Sequence, residues 1–120
     1  MWDDTNHVSR RLKKVEDSLQ RIPFFSGLPP DALSAIAAKL RHERYVRDEV
    51  VFVEGSLGDS LYFIESGQVK VTIGSGPNEK IVTYLGPGNF FGEMALFLNQ
   101  RRTASVTTVI DADVWVLRKD

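Results

Sequence analysis

Phe91-Gly92-Glu93-Met94-Ala95-Leu96, followed by Arg102-Thr103-Ala104-Ser105, brings together the residue types needed to hold one small anion. A glycine lets the backbone approach a ligand closely. Free N–H groups opening a short helical turn over Glu93–Leu98 would point toward negative charge, and arginine adds a planar fork of donors suited to phosphate oxygens. Glu93 only accepts hydrogen bonds when ionised, so beside an anion it should face a neutral donor such as a sugar hydroxyl. Arg101 and Arg102 are adjacent on an extended segment and should point to opposite faces. Arg102 is assigned inward because positions 102, 104 and 106 share a face, which puts Ala104 and Val106 beside it. Thr103 and Ser105 could offer hydroxyls if the strand is twisted or bulged. The same residues would also serve as a plain turn, a helix cap and a surface ion pair, and spacing alone does not choose between these readings.

Other chemistries find less to work with. His7 and His42 are the only histidines and there is no cysteine, so metal-ligand spacing, thiolate chemistry and disulfides are missing. His42, within Arg41-His42-Glu43-Arg44, reads as a solvated helix end. Ser56, Ser60 and Ser66 have no histidine nearby in sequence to activate them. An enzyme is not expected. The chain has 120 residues with Lys+Arg 15 against Asp+Glu 16 and a formal net charge of -1, which argues against a general nucleic-acid surface. Apolar runs are too short to cross a bilayer. The absence of cysteine fits a reducing, cytoplasmic setting.

The elements that must position the candidate site change period along the chain. Val8, Leu12, Val15, Leu19 and Ile22 recur at spacings of three and four and predict an amphipathic helix that Pro23 stops. Arg10, Arg11, Lys13 and Lys14 lie elsewhere around it. A second helix is predicted from Pro30 to Arg41, with Leu33, Ile36, Ala37 and Leu40 as its buried stripe. From about Tyr45 the pattern becomes short β-branched or aromatic runs: Val50–Val53, Leu61–Ile64, Val69–Ile73, Ile81–Leu85, Ala104–Val109 and Val114–Leu117. Gly55, Gly58, Gly67, Gly74-Ser75-Gly76-Pro77-Asn78 and Gly86-Pro87-Gly88 mark corners. In Val69-Lys70-Val71-Thr72-Ile73 the alternation places three apolar residues inward and two polar ones outward. Phe24, Phe25, Phe90, Phe91 and Phe97 read as core or interface anchors. Helices followed by seven or eight strands closed into a jelly-roll-like barrel is the expected architecture, since strands so closely spaced leave no room for crossover helices.

The quoted insertion, together with Glu54-Gly55-Ser56-Leu57-Gly58-Asp59-Ser60-Leu61-Tyr62-Phe63-Ile64-Glu65-Ser66-Gly67, resembles the cyclic nucleotide-binding domain family. That family includes regulatory subunits of cyclic-nucleotide-dependent kinases, gated channels and bacterial catabolite activator-type regulators. The resemblance runs from Pro23 to Asp120. It implies a mainly β fold, a double-stranded β-helix or jelly roll preceded by helices, with residues 1–22 as an N-terminal amphipathic helix and 23–120 as the β-roll with its preceding helix. It implies a 3′,5′-cyclic nucleotide, cAMP or cGMP, as ligand, with no other cofactor and no metal. Arg102 would hold the cyclic phosphate and Glu93 the ribose 2′-hydroxyl. Backbone amides at Gly92, Met94, Ala95 and Ala104 would complete the contacts, and Thr103 and Ser105 would tune phosphate and base. Base identity stays open.

Relatives continue into helices that cover the base, so by the resemblance this chain stops before a C-terminal lid. The implied role is a cytoplasmic sensor, free or as the cytoplasmic domain of a membrane protein. It would pass occupancy to an effector (a channel, transporter, enzyme or DNA-binding domain) without itself touching nucleic acid, and a homo-oligomer is open. Two alternatives remain: a nucleotide-free scaffold or dimerisation domain of the same fold, and a fragment of a cyclic-nucleotide-responsive transcription regulator.

Overall fold

The computed structural model describes residues 20, 25–92 and 100–118. The helix read over Val8–Ile22, apart from Gln20, and the turn read over Glu93–Leu98 lie outside these residues, as do Phe24 and Phe97. The chain forms two compact units, Met1–Leu40 and Arg41–Asp120.

In the first unit, helix α1 (Pro30–Ala38) starts with proline at its first position, where a missing N–H costs nothing, and carries Asp31 in its first turn. Leu33 and Ala37 are buried one turn apart; Ile36 and Leu40 are half-buried. The helix stops short of the expected Arg41. Lys39 N donates to Ile36 O at 3.0 Å and Leu40 N to Ala37 O at 3.2 Å, a tightened last turn that releases the chain.

Arg41 then opens a strand, so the reading of Arg41–Arg44 as a helix end is incorrect. The second unit contains β1 (Arg41–Tyr45), β2 (Val50–Phe52), β3 (Ser60–Ser66), β4 (Val69–Ile73), β5 (Lys80–Leu85), β6 (Phe90–Phe91), β7 (Ser105–Thr108) and β8 (Ala112–Arg118). They form two four-stranded sheets, ordered β1-β8-β3-β6 and β2-β7-β4-β5. All pairings are antiparallel. This is the jelly-roll-like, mainly β architecture expected. β1 escaped notice because it is a sheet edge: Arg41-His42-Glu43-Arg44 shows no apolar alternation, and pairing with β8, from Arg41 opposite Val116 to Tyr45 opposite Ala112, decides its conformation.

The core lies between the sheets. Tyr62, Ile64, Phe91, Val114 and Val116 from one sheet cluster with Val69 and Val106 from the other. Phe91 is thus the anchor its sequence suggested. The burial expected for β4 fails at its end: Thr72 is 2% exposed whereas Ile73 is 41% exposed. Thr72 keeps its outward side, opposite Ser105 of β7, but the segment around Glu54 is bonded to both Ser105 and Gly74 and closes over it. Ile73 lies beyond a β-bulge, where the register against β5 shifts between Val71 and Thr72 and the strand leaves the core.

One buried hydroxyl fastens the turn leading into β2. Thr108 is wholly buried, and its Oγ1 donates to Val46 O at 2.5 Å while accepting from Glu49 N at 2.9 Å. Thr108 N donates to Glu49 O at 2.9 Å, and its own carbonyl accepts from Asp48 N at 3.1 Å. Asp48 is held at φ 62 by this clamp. Thr108→Val keeps the shape but removes the hydroxyl that joins the two part-buried backbone groups, so it is expected to lower unfolding stability by about 0.5–1.5 kcal/mol in urea titration. A change within about 0.3 kcal/mol would show that the clamp is dispensable.

Candidate anion-binding site

Arg102 sits just before β7 in an extended segment held on both sides. Its N–H donates to Ser56 O at 2.8 Å and its carbonyl accepts from Gly55 N at 2.7 Å, while Leu57 bridges Arg101. Neighbouring residues therefore face oppositely. Arg102 is 7% exposed, whereas Arg101 is exposed and caps Gly55 O at 2.9 Å. Only one arginine of the pair looks inward, and it is Arg102.

The buried guanidinium lies among aromatic rings. Its central carbon is 4.0 Å from the centroid of Phe52 and 5.7 Å from that of Tyr62, and Tyr62 stacks on Phe91 at 4.9 Å. Such faces favour a cation but leave its N–H groups unsatisfied. Nη1 donates to Ser60 O at 3.2 Å and to Gly92 O at 3.1 Å. Nε is buried and has no hydrogen-bond partner among the described residues. Burial pulls the guanidinium pKa below its usual value, opposed by the nearby charges of Tyr62 and Asp59. Burial likewise raises the Tyr62 phenol, against the lowering effect of Arg102. A cation taken out of water with a donor unused is poised for an anionic acceptor.

Two glycines make the space. Gly92 is held at φ +83, a conformation open to glycine, and a Cβ there would come within 2.7 Å of Arg102 Nη1. It is the carbonyl of Gly92 that meets the guanidinium. Gly58 has an ordinary backbone, yet a Cβ on it would collide with the Arg102 guanidinium. Sequence reading took Gly58 as a corner; its use is clearance. Phe52 and Tyr62 carry no motif as aromatics in strands, and Ser60, considered in the sequence only for its hydroxyl, contributes its carbonyl. Glu93, Met94 and Ala95 lie outside the described residues. Thr103 is exposed, Ala104 half-buried, and Ser105 Oγ accepts from Glu54 N at 2.9 Å. His42, read as a helix end, instead projects from β1 toward Asp113 and Glu65, at 3.2 and 3.7 Å, with its ring edge-on to Trp115. Among the described residues no group of histidine and carboxylate side chains is arranged to hold a metal ion.

The sequence profile of the cyclic nucleotide-binding domain matches residues 42–120. The chain belongs to this family. It corresponds to the family's regulatory, non-catalytic module. It is 34% identical over 107 residues to a CRP-like cAMP-activated global transcriptional regulator of Mycobacterium tuberculosis, covering 88% of this chain and 48% of that protein. It is 36% identical over 98 residues to a cGMP-dependent protein kinase of Drosophila melanogaster, covering 80% of this chain and 10% of the kinase. The regulatory domain of Toxoplasma gondii PKA, solved with cAMP, superposes with a TM-score of 0.85 at 29% identity over 92% of this chain and 42% of that one. The chain therefore spans half or less of the length of these relatives.

If Arg102 serves a ligand rather than the fold, removing its charge should cost the free protein little. Arg102→Met frees the Ser60 and Gly92 carbonyls but also removes a desolvated cation, so stability is expected to stay within about 1 kcal/mol by urea unfolding. A loss above about 3 kcal/mol would mark the side chain as a structural strut.

Proposed function

We propose that this chain is a sensor that binds a 3′,5′-cyclic nucleotide, with Arg102 as the phosphate anchor. The observation that carries the reading is the buried guanidinium whose Nε has no partner among the described residues. Phe52 and Tyr62 support the cation from the side, and the glycines at 58 and 92 leave room around it. In this reading Glu93 takes the ribose 2′-hydroxyl, and amides at Gly92, Met94, Ala95 and Ala104 complete the cradle. Thr103 and Ser105 adjoin the phosphate and base. In the same reading the binding module is residues 23–120, and residues 1–22 are a separate N-terminal segment whose apolar spacing predicts an amphipathic helix.

The named relatives include a cAMP-activated regulator and a cGMP-dependent kinase, so the base is the open variable within one chemistry. Binding is expected to be read out by a cytoplasmic effector in a longer protein, as a shift between two states of the cassette and whatever packs on it; that shift requires tighter binding to one state than to the other. No described helix is long and apolar enough to cross a membrane.

Calorimetric titration with cAMP and cGMP tests the assignment. Losing a charged partner of a buried anion costs about 2–5 kcal/mol, so Arg102→Ala should weaken binding by roughly 30-fold to several thousand-fold. Arg101→Ala should leave it nearly unchanged. Equal losses from the two would overturn the choice of arginine. Gly58→Ala offers an independent check: its new methyl would meet the guanidinium first, so affinity should fall at least about 10-fold in a protein that still unfolds cooperatively. Retained affinity in a folded Gly58→Ala protein would place the anion elsewhere. Glu93→Ala should weaken cAMP more than its 2′-deoxy analogue, and equal weakening would remove the ribose role.

A further inference from the structure

One irregularity of β2 decides what lies against the buried guanidinium. Val50 pairs with Thr107 and Phe52 with Val106, so two steps along β2 match a single step along β7, and Val51 is the extra residue of a β-bulge. Unbulged pairing would set Phe52 opposite Ser105, on the outward side with Val50, which is 51% exposed. The bulge instead turns Phe52 to the side of Val106, where it packs against the core cluster. Its ring is tilted against those of Tyr62 at 5.7 Å and Phe91 at 5.9 Å. The guanidinium carbon of Arg102 lies over the same ring, 4.0 Å from its centroid.

An anion site needs a cation that is held in place without being used up. A carboxylate in the position of Phe52 would pair with the guanidinium and compete with the incoming anion, and a carbonyl there would occupy an N–H. A ring face attracts the charge and does neither. Of the two rings beside Arg102, Phe52 is the nearer, at 4.0 Å against 5.7 Å, and Tyr62 is already stacked on Phe91 with planes 4° apart. Hydrogen bonds hold the guanidinium at one nitrogen: Nη1 serves the Ser60 and Gly92 carbonyls, while buried Nε has no partner among the described residues. Burial opposes the charge, so a weaker hold would let the side chain leave for solvent. A desolvated cation over a ring gains roughly tenfold or more in population from that contact.

We propose that Phe52 is a positioning residue for anion capture, its ring turned inward by the bulge so that the Arg102 guanidinium waits in the site with a donor unspent. The inference rests on the reading of Arg102 as the phosphate anchor. Phe52 acts through Arg102 and needs no contact with the ligand. Apparent affinity is the intrinsic affinity scaled by the fraction of chains already in the binding arrangement. A ring that holds the cation less well therefore lowers affinity for every ligand that uses Arg102, by the same factor and whatever its base. Bulk is not the agent, since leucine fills much of the same space and presents no π face.

Site-specific replacement of Phe52 by 3,4,5-trifluorophenylalanine tests this, because it keeps the ring and withdraws the electron density of its face. Solvent exchange of the Arg102 Nε–H is read in the ligand-free protein, and affinity for cAMP and cGMP by calorimetry. Expected are cooperative urea unfolding, exchange at least about threefold faster, and affinity for both nucleotides lower by about 3- to 10-fold with their ratio preserved. Phe52→Leu should give the same pattern with larger losses, and decides the matter if the fluorinated protein does not fold. Unchanged exchange would show that the ring does not hold Arg102; faster exchange with unaltered affinity would show that the hold does not serve capture; a changed ratio would make Phe52 a contact of the base. Each of these overturns the proposal while leaving Arg102 as the anchor. An unsubstituted protein that binds neither nucleotide would instead reject the phosphate reading, and the role of Phe52 with it.

Discussion

A cation held out of water without its full set of partners is the constraint around which the rest of this β-roll is arranged. Arg102 is 7% exposed, its Nη1 is shared between the carbonyls of Ser60 and Gly92, and its Nε bonds to nothing among the described residues. A side chain selected for stability alone would be apolar at such a position, since burying an uncompensated charge is among the more expensive things a fold can do. Aromatic faces and backbone bonds hold the side chain in place. Phe52 and Tyr62 present ring faces, the backbone of residue 102 is bonded on both sides to the 55–56 segment, and glycines at 58 and 92 withhold the side chains that would fill the space.

The two sheets divide the work. The β1-β8-β3-β6 sheet contributes Tyr62 and Phe91, whose stacked rings form one wall beside the guanidinium. The β2-β7-β4-β5 sheet contributes Phe52 beneath it, and the strand that follows Arg102. Because antiparallel neighbours share faces in register, the sheet that packs Val106 and Val71 toward the core shows Thr72, Ser105 and Thr107 outward.

Much of this was legible in the residues. The inward turn of Arg102 and outward turn of Arg101 follow from strand alternation, and the strand runs from Val50 onward follow from β-branched and aromatic content. β1 was not legible, because an edge strand of charged residues is defined by its partner β8 and not by its own pattern. The burial at the end of β4 was not legible either, since it depends on a distant loop that Glu54 ties across Thr72, and on a bulge that leaves no mark in composition. Gly58 looks like any turn glycine until Arg102 is seen lying against it. Carbonyls such as those of Ser60 and Gly92 are invisible to motif reading in principle, because every residue has one.

The central claim is that the unused donor of Arg102 is the group that meets the ligand. Nitrogen-15 spectra of the arginine side chains, recorded with and without saturating cAMP and assigned by Arg102→Lys, test this directly. The account predicts that the Arg102 Nε–H resonance moves downfield and exchanges more slowly with solvent once a phosphate oxygen accepts from it. Saturable binding of the nucleotide with that resonance unmoved would contradict it.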